Sequence, residues 1–402
     1  MVKLHSKDTN KTRSWDDPNG LGWQLWRRVH ATGLSSTDSL ELNAEVLDAG
    51  DWSGPGGART ILRDTRVQAA VLETARGGLL RRGLNVPRAT TAAVLNVAED
   101  HFGEWGVHSL EDLADVKLLV GTAVSRDNVL VLNADDPVVW DRGARLSVPS
   151  LPFALSRECE GLAACLQQNR DGLWVADDKL LAKWRGKDLE LMSVGDIPIA
   201  MGGVAKHNLS NALAAIGMAL AMDVEPGAIR AGVQAFSGDA ASNPGRFNVF
   251  RFGELTAVVD FAHNPAGLAA LAETCAALPA KRRAVVLGQA GDRDDAALRG
   301  LADAVMPLQP DRVVLKELAE YARGREVGAV VELLAARLKE LGVPDDHIER
   351  ADSELAAVRQ AFEGAQDGDL LLLLTHAQRG EVLELIAAMQ SAKWKPGDAL
   401  PG

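Results

Sequence analysis

The stretch Val71 to His101, VLETARGGLLRRGLNVPRATTAAVLNVAEDH, decides how the rest of the chain is read. An apolar run, Val67 to Leu72 broken by Gln68, leads into Glu73. A small glycine-bearing turn comes next (Thr74 to Gly78), then a short helical segment with Arg81 and Arg82. A second apolar run, Ala92 to Val97, holds Asn96 and leads to Glu99, Asp100 and His101. Such runs read as buried strands, and in an open parallel sheet ligands bind at the carboxyl ends of the strands. Carboxylates, an amide and an imidazole gathered there suit Mg²⁺ and phosphate chemistry better than zinc, which calls for Cys and more His.

With 47% of its 402 residues hydrophobic, the chain can bury the cores of two or three domains. A net charge of −12 and no visible basic stripe set nucleic acid aside as a partner. Cys159, Cys165 and Cys275 follow no metal or disulfide spacing and read as reduced thiols. The opening MVKLHSKDTNKTRSW has no apolar core of a signal peptide, and no run approaches a membrane span. The expectation is a cytoplasmic α/β protein without a membrane partner.

Beyond the opening stretch, ETARGGLLRRGL, NVAEDHFGEWGVHSLEDLADVK and LNADDP resemble the ligase half of the cyanophycin synthetase branch of the Mur ligase superfamily. The resemblance implies a central ATPase-type α/β domain on a parallel sheet over residues 1–242, with a β-rich insertion from Ser150 to Ile199. A C-terminal Rossmann-like α/β domain over residues 243–402 would complete the chain. Composition supports the division, because Asp239 to Gly245 (DAASNPG) is small, polar and turn-rich. AVVLG (284–288), RVVLK (312–316) and DLLLLL (369–374) alternate with helical segments, the rhythm of βα units on a parallel sheet. No GxGxxG fingerprint is present, which sets a dehydrogenase aside. The ATP-grasp module that precedes this part in that branch is not in the chain, so a complete enzyme of that branch is not expected.

The implied activity is ATP-dependent joining of a carboxylate to an amine through an acyl phosphate, with ATP and Mg²⁺ as cofactors and an amino acid or peptide as substrate. ATP would lie between the domains, and Lys11, Glu73, His101, Lys117 and Arg246 would form the catalytic set. The family's phosphate loop, G-T-N-G-K-T, is here D-T-N-K-T, Asp8 to Thr12. It lacks glycines that let a backbone approach phosphate closely. Resemblance assigns Thr9, Asn10, Lys11 and Thr12 to the nucleotide and Thr12, Glu73 and His101 to the metal. Arg13 to Gly20 reads as turn chemistry and Leu21 to Val29 as an amphipathic helix. Lys117, on a helix from Ser109 to Val124 opened by a capping pattern, matches a lysine that many Mur ligases carbamylate. Gly50 to Pro55 resembles a loop near the acceptor.

Asn208 and Asn211 sit one turn apart on one helix face and suit an adenine edge, with capping by Asn208 as the plain alternative. Arg246 in NPGRF would approach phosphate, and Asp260 in DFAHNP would hold the ribose, with His263 beside it. Arg76, Asp292, Arg293 and Lys316 fall where the family meets its substrate. The altered loop keeps a second reading open, a non-catalytic homologue acting as a binding or partner subunit. Homo-oligomer and partner-subunit states are both left open.

Overall fold

The computed structural model describes residues 2–6, 11–15, 31–43, 45–99, 103 and 105–402, with side chains from Ala31 onward. The chain divides into two compact units, 1–237 and 238–402. One side chain gathers the turn-rich segment at the start of the second unit. Asn248 Nδ2 donates to the carbonyls of Gly238 and Asn243, and its Oδ1 accepts from Gly245 N at 2.6 Å. The turn-rich segment is thereby tied to the start of the second unit.

Among its described residues the first unit holds twelve strands in two hydrogen-bonded sheets. They are β1 (Val2–Ser6), β2 (Lys11–Trp15), β3 (Thr32–Ser35), β4 (Ser39–Leu42), β5 (Glu45–Ala49), β6 (Ala69–Leu72), β7 (Ala89–Val94), β8 (Val124–Asn133), β9 (Ser150–Ala154), β10 (Gly172–Ala176), β11 (Lys179–Trp184) and β12 (Lys187–Ser193). One sheet runs β12-β11-β10-β9-β8-β7-β1-β2 and the other β5-β4-β3-β6. The strands that flank the opening stretch therefore belong to different sheets: β6 pairs in parallel with β3, and β7 with β8. They still share a core. Leu34, Ala69 and Val71 pack with Ala93, Val131, Leu151 and Phe153 against the helix Lys206–Ala221. That helix approaches closely because Gly217 faces Val131 and Leu173, where a Cβ would sit 3.2 and 3.3 Å from their methyls.

The segment 150–199 is no separate insertion. β9 and β10 extend the parallel order of β7 and β8, joined by the helix Glu160–Gln167, because SLPFA buries Leu151, Phe153 and Ala154 completely. The β11–β12 hairpin then adds an antiparallel edge. At the other edge β1 and β2 pair antiparallel from Val2↔Trp15 to Ser6↔Lys11, so residues 13–15 are strand rather than turn. The helix expected over 21–29 lies outside the described residues.

The second unit carries β13 (Asn248–Phe252), β14 (Leu255–Asp260), β15 (Arg283–Leu287), β16 (Arg312–Lys316), β17 (Ile348–Ala351) and β18 (Leu370–Leu374) in the order β13-β14-β18-β15-β16-β17. All neighbours are parallel except the edge pair β13–β14. β18, five leucines buried on both faces, is an inner strand, as a continuous apolar run requires. Phe252, Phe362 and Trp394 meet edge to face, with centroids 5.5 to 5.7 Å apart. Among the described residues no helix is long and apolar enough to cross a membrane.

Candidate functional site

In the first unit the structure brings the Glu73 turn together with the Gly50–Pro55 loop and the residues that follow β3. Glu73 comes directly after β6, and its N–H donates to Ser35 O at 2.8 Å. Its half-buried carboxylate accepts from Thr37 N at 2.8 Å and Thr37 Oγ1 at 2.6 Å. The Gly50–Pro55 loop closes over the same turn: Trp52 N donates to Ser36 O, and Ala75 N donates to Ser53 O. Asp51 shapes this loop by accepting from Ser53 N and Oγ. Gly57 permits the approach, because a Cβ there would collide with Ser35 Oγ and the Trp52 carbonyl. Arg76 opens the short helix Arg76–Arg82 beside this cluster.

A second group gathers beyond β7. Asn96 and Val97 lie past the end of the strand, and Asn96 O accepts from Lys117 Nζ at 2.8 Å. Val97 N donates to Asp136 Oδ2 at 2.7 Å, while Asp136 Oδ1 caps the helix Pro137–Gly143 through Val138 N and Val139 N. Lys117 projects from the helix Leu110–Leu118, which begins with a full capping box between Ser109 and Asp112. It ends sooner than expected, in a 3-10 turn over Leu119–Ala123. His101 lies outside the described residues, as do Thr9 and Asn10, and among the described residues no cluster of three or more His, Cys, Asp or Glu forms.

The backbone at Lys11 and Thr12 does not match the expected phosphate loop. Both residues are in β2, opposite Ser6 and His5. A phosphate cradle needs successive N–H groups turned toward one point, at a tight turn or a helix start. An extended strand in an antiparallel ladder points successive N–H groups to opposite sides.

Asn208 is the third residue of the helix Lys206–Ala221, so it does not cap it. Its buried Nδ2 donates to Ile199 O at 3.0 Å. This bond braces the tight segment before the helix, where Met201, Gly202 and Gly203 take positive φ. Asn211 stays half-buried one turn on. Burial holds the neighbouring His207 down to about 4.

In the second unit Asp260 ends β14 and is fixed from both sides. Its Oδ2 accepts from Phe247 N at 2.8 Å and its Oδ1 from Ala262 N at 2.6 Å. Desolvation pushes this carboxyl above its ordinary range, outweighing the Arg246 guanidinium and these N–H donors. Arg246 stacks over Phe261 at 5.0 Å from the ring centre. Its Nε is buried without a hydrogen-bond partner among the described residues, a donor an anion would satisfy. His263 Nδ1 lies 3.3 Å from Phe261 O, and Gln289 Nε2 donates to His263 O at 2.6 Å. The second unit thus sets an unsatisfied guanidinium donor beside a carboxyl fixed by two backbone N–H groups.

The residues expected to meet substrate are placed unequally. Asp292 pairs with Arg323, and the Arg293 carbonyl accepts from Arg325 Nη2 at 2.6 Å. Lys316 is corrected outright: its side chain is fully buried. Its three protons go to Glu354 Oε2, Leu374 O and His376 Nδ1, so none is left for a substrate. Burial lowers this ammonium's pKa, against the pull of Glu354. Glu354 and His376 carry much of this network and escape a reading of the sequence, because their partners are remote in the chain.

Residues 56–219 match the Mur ligase middle domain, and residues 245–375 match the Mur ligase, glutamate ligase domain. Cyanophycin synthetase of Synechocystis sp. is 33% identical over 366 residues, 90% of this chain and 41% of that protein. The chain thus spans about two fifths of that relative's length. UDP-N-acetylmuramoyl-L-alanyl-D-glutamate--2,6-diaminopimelate ligase of Geobacter metallireducens is 25% identical over 340 residues, 78% of this chain and 61% of that protein. Among solved structures, E. coli FolC in complex with DHPP and ADP superposes with a TM-score of 0.65 at 17% identity, covering 94% of this chain and 88% of that one. The chain belongs to the Mur ligase family, carrying its middle domain and then its C-terminal, glutamate ligase domain.

Proposed function

We propose that this chain is an ATP-dependent carboxylate–amine ligase that forms an amide or peptide bond on an amino acid or peptide substrate, in the cytoplasm. The observation that carries this reading is the buried, unpartnered Nε of Arg246, next to the doubly anchored Asp260. ATP, when bound, would supply the phosphoryl group that activates an acceptor carboxylate as an acyl phosphate with loss of ADP, and the amine would then displace inorganic phosphate from the acyl carbon. Arg246 offers a fixed cation where phosphate charge builds up, needing no reorganisation as the reaction proceeds. Asp260 presents a rigid acceptor for ribose hydroxyls, and Asn208 and Asn211 take the adenine edge. Glu73, with His101 and Thr12, would hold Mg²⁺, and Lys117 would support that group from its seat on Asn96 O. Arg76, Asp292 and Arg293 remain the substrate contacts. The test is ADP release from ATP and Mg²⁺ in the presence of pooled amino acids and short peptides. Release should require the amine substrate and vanish in Glu73→Ala; release unchanged in that variant sinks the metal assignment.

The strand at Lys11–Trp15 favours a second reading, a homologue that keeps nucleotide binding or partner binding without turnover. Lys11→Met separates the two. An enzyme should lose at least about tenfold in turnover with this charge-assisted contact. A non-catalytic homologue shows no ADP release before or after the change.

A further inference from the structure

The last strand–helix junction of the second unit, Thr375 to Arg379 (THAQR), converges on both nucleotide segments of that unit. Thr375 N donates to Asp260 O at 2.8 Å. His376 Nε2 lies 3.1 Å from Ala262 O, and Arg379 Nη1 donates to Pro244 O at 3.2 Å. The Arg379 guanidinium sits 5.9 Å from the centre of the Phe261 ring, on which Arg246 also stacks. The turn and Arg379 are in tight contact: Gly245 has φ +71°, and a Cβ there would collide with the Arg379 side chain. The region matched to the glutamate ligase domain stops at residue 375, so His376 and Arg379 lie beyond it.

The proton on His376 is set by its neighbours. Lys316 can only donate, so His376 Nδ1 accepts from it, and the ring proton sits on Nε2, where Ala262 O receives it. Burial and the Lys316 charge hold this imidazole neutral, well below its usual range. Glu354 fixes both partners, accepting from Lys316 Nζ and, at 2.6 Å, from His376 N. The Ala262 peptide is thus clamped at both ends, its N–H by Asp260 and its carbonyl by His376.

We propose that His376 and Arg379 are positioning residues of the nucleotide site, holding the Ala262 carbonyl and the Pro244–Gly245 turn so that Asp260 and Arg246 keep their aim. This rests on the nucleotide reading of the second unit. The test is calorimetric titration of Mg·ADP into the intact chain and its variants. Arg379→Met should weaken binding roughly tenfold, and Arg379→Lys should recover most of the loss. Because Arg379 acts through Arg246, Arg246→Met/Arg379→Met should bind within about twofold of Arg246→Met alone, since coupled sites do not add. Losses that multiply in the double variant overturn the inference. Wild-type protein that binds no Mg·ADP overturns the nucleotide reading instead. His376→Gln should bind better than His376→Leu. Should these variants misfold, ¹⁵N spectra of wild-type His376 still decide: a proton on Nε2 supports the clamp, and a proton on Nδ1 overturns it.

Discussion

Glu73 and Asp260 both sit at the end of a buried strand, β6 in the first unit and β14 in the second, and they are held differently. Among the described residues the Glu73 carboxylate meets Thr37, itself exposed. Asp260 is gripped by two backbone N–H groups, from Phe247 and Ala262. Nearby, Arg246 and Arg379 share the Phe261 ring, and Glu354, Lys316 and His376 form a hydrogen-bonded chain that reaches Ala262 O. The difference matters for function. A ribose or phosphate contact gains from being rigid before the ligand arrives, since ordering it later costs affinity. A metal ligand can be completed by the ion, so a half-buried carboxylate beside an exposed threonine suits the metal role proposed for Glu73.

The contrast breaks first at its most buried point. Lys316→Met takes the ammonium from the buried Glu354 carboxyl, which is left with backbone N–H donors, and should cost about 3–5 kcal/mol of second-unit stability in urea unfolding. Thr37→Ala, which removes the Oγ1 donor to Glu73 and keeps the Thr37 N–H, should cost about 1 kcal/mol or less. Similar losses in both variants would erase the distinction between the units.

Acid sharpens the contrast next. His207 in the first unit has a folded pKa of about 4, below the 6.5 of an unfolded histidine. Its contribution is fully present above pH 6.5 and is lost as pH falls from 6.5 toward 4, by at most about 3 kcal/mol. Asp260 runs the other way: its folded pKa is raised, so its contribution is present at low pH and fades as pH rises through that raised value. Melting curves from pH 4 to 7 should show His207→Gln losing less stability on acidification than wild type. Parallel curves would show that His207 is not buried as described.

The smallest expected effect on stability accompanies a complete effect on chemistry. Glu73→Gln should shift stability by about 1 kcal/mol or less, since it loses half-exposed hydrogen bonds alone, while ADP release disappears. A large fall in melting temperature would recast Glu73 as a structural residue.

The parallel strands are legible in the sequence because their side chains are apolar on both faces: RVVLK and LLLLL read as inner strands, and they are. Less regular strands are not. β2, KTRSW, carries a single apolar residue, so it reads as a phosphate loop and turn although its backbone is extended. β9 and β10 look irregular because Pro152 and Gly172 interrupt their pattern. In the site, motifs locate Asp260, Arg246 and Asn208 but say nothing of what holds them. Lys316 shows the limit. Its place at a carboxyl strand end suggests substrate, yet its partners Glu354 and His376 stand 38 and 60 residues away, and only the fold brings them to its ammonium.

The central claim is that this chain binds nucleotide through the second unit's preformed residues. Titrating Mg·ATP into wild type and Arg246→Met tests it most directly. Wild type should bind in the submillimolar range, with Arg246→Met weakened at least about tenfold, or roughly 1.4 kcal/mol. No binding to wild type at millimolar nucleotide, or equal binding by both proteins, would contradict the claim.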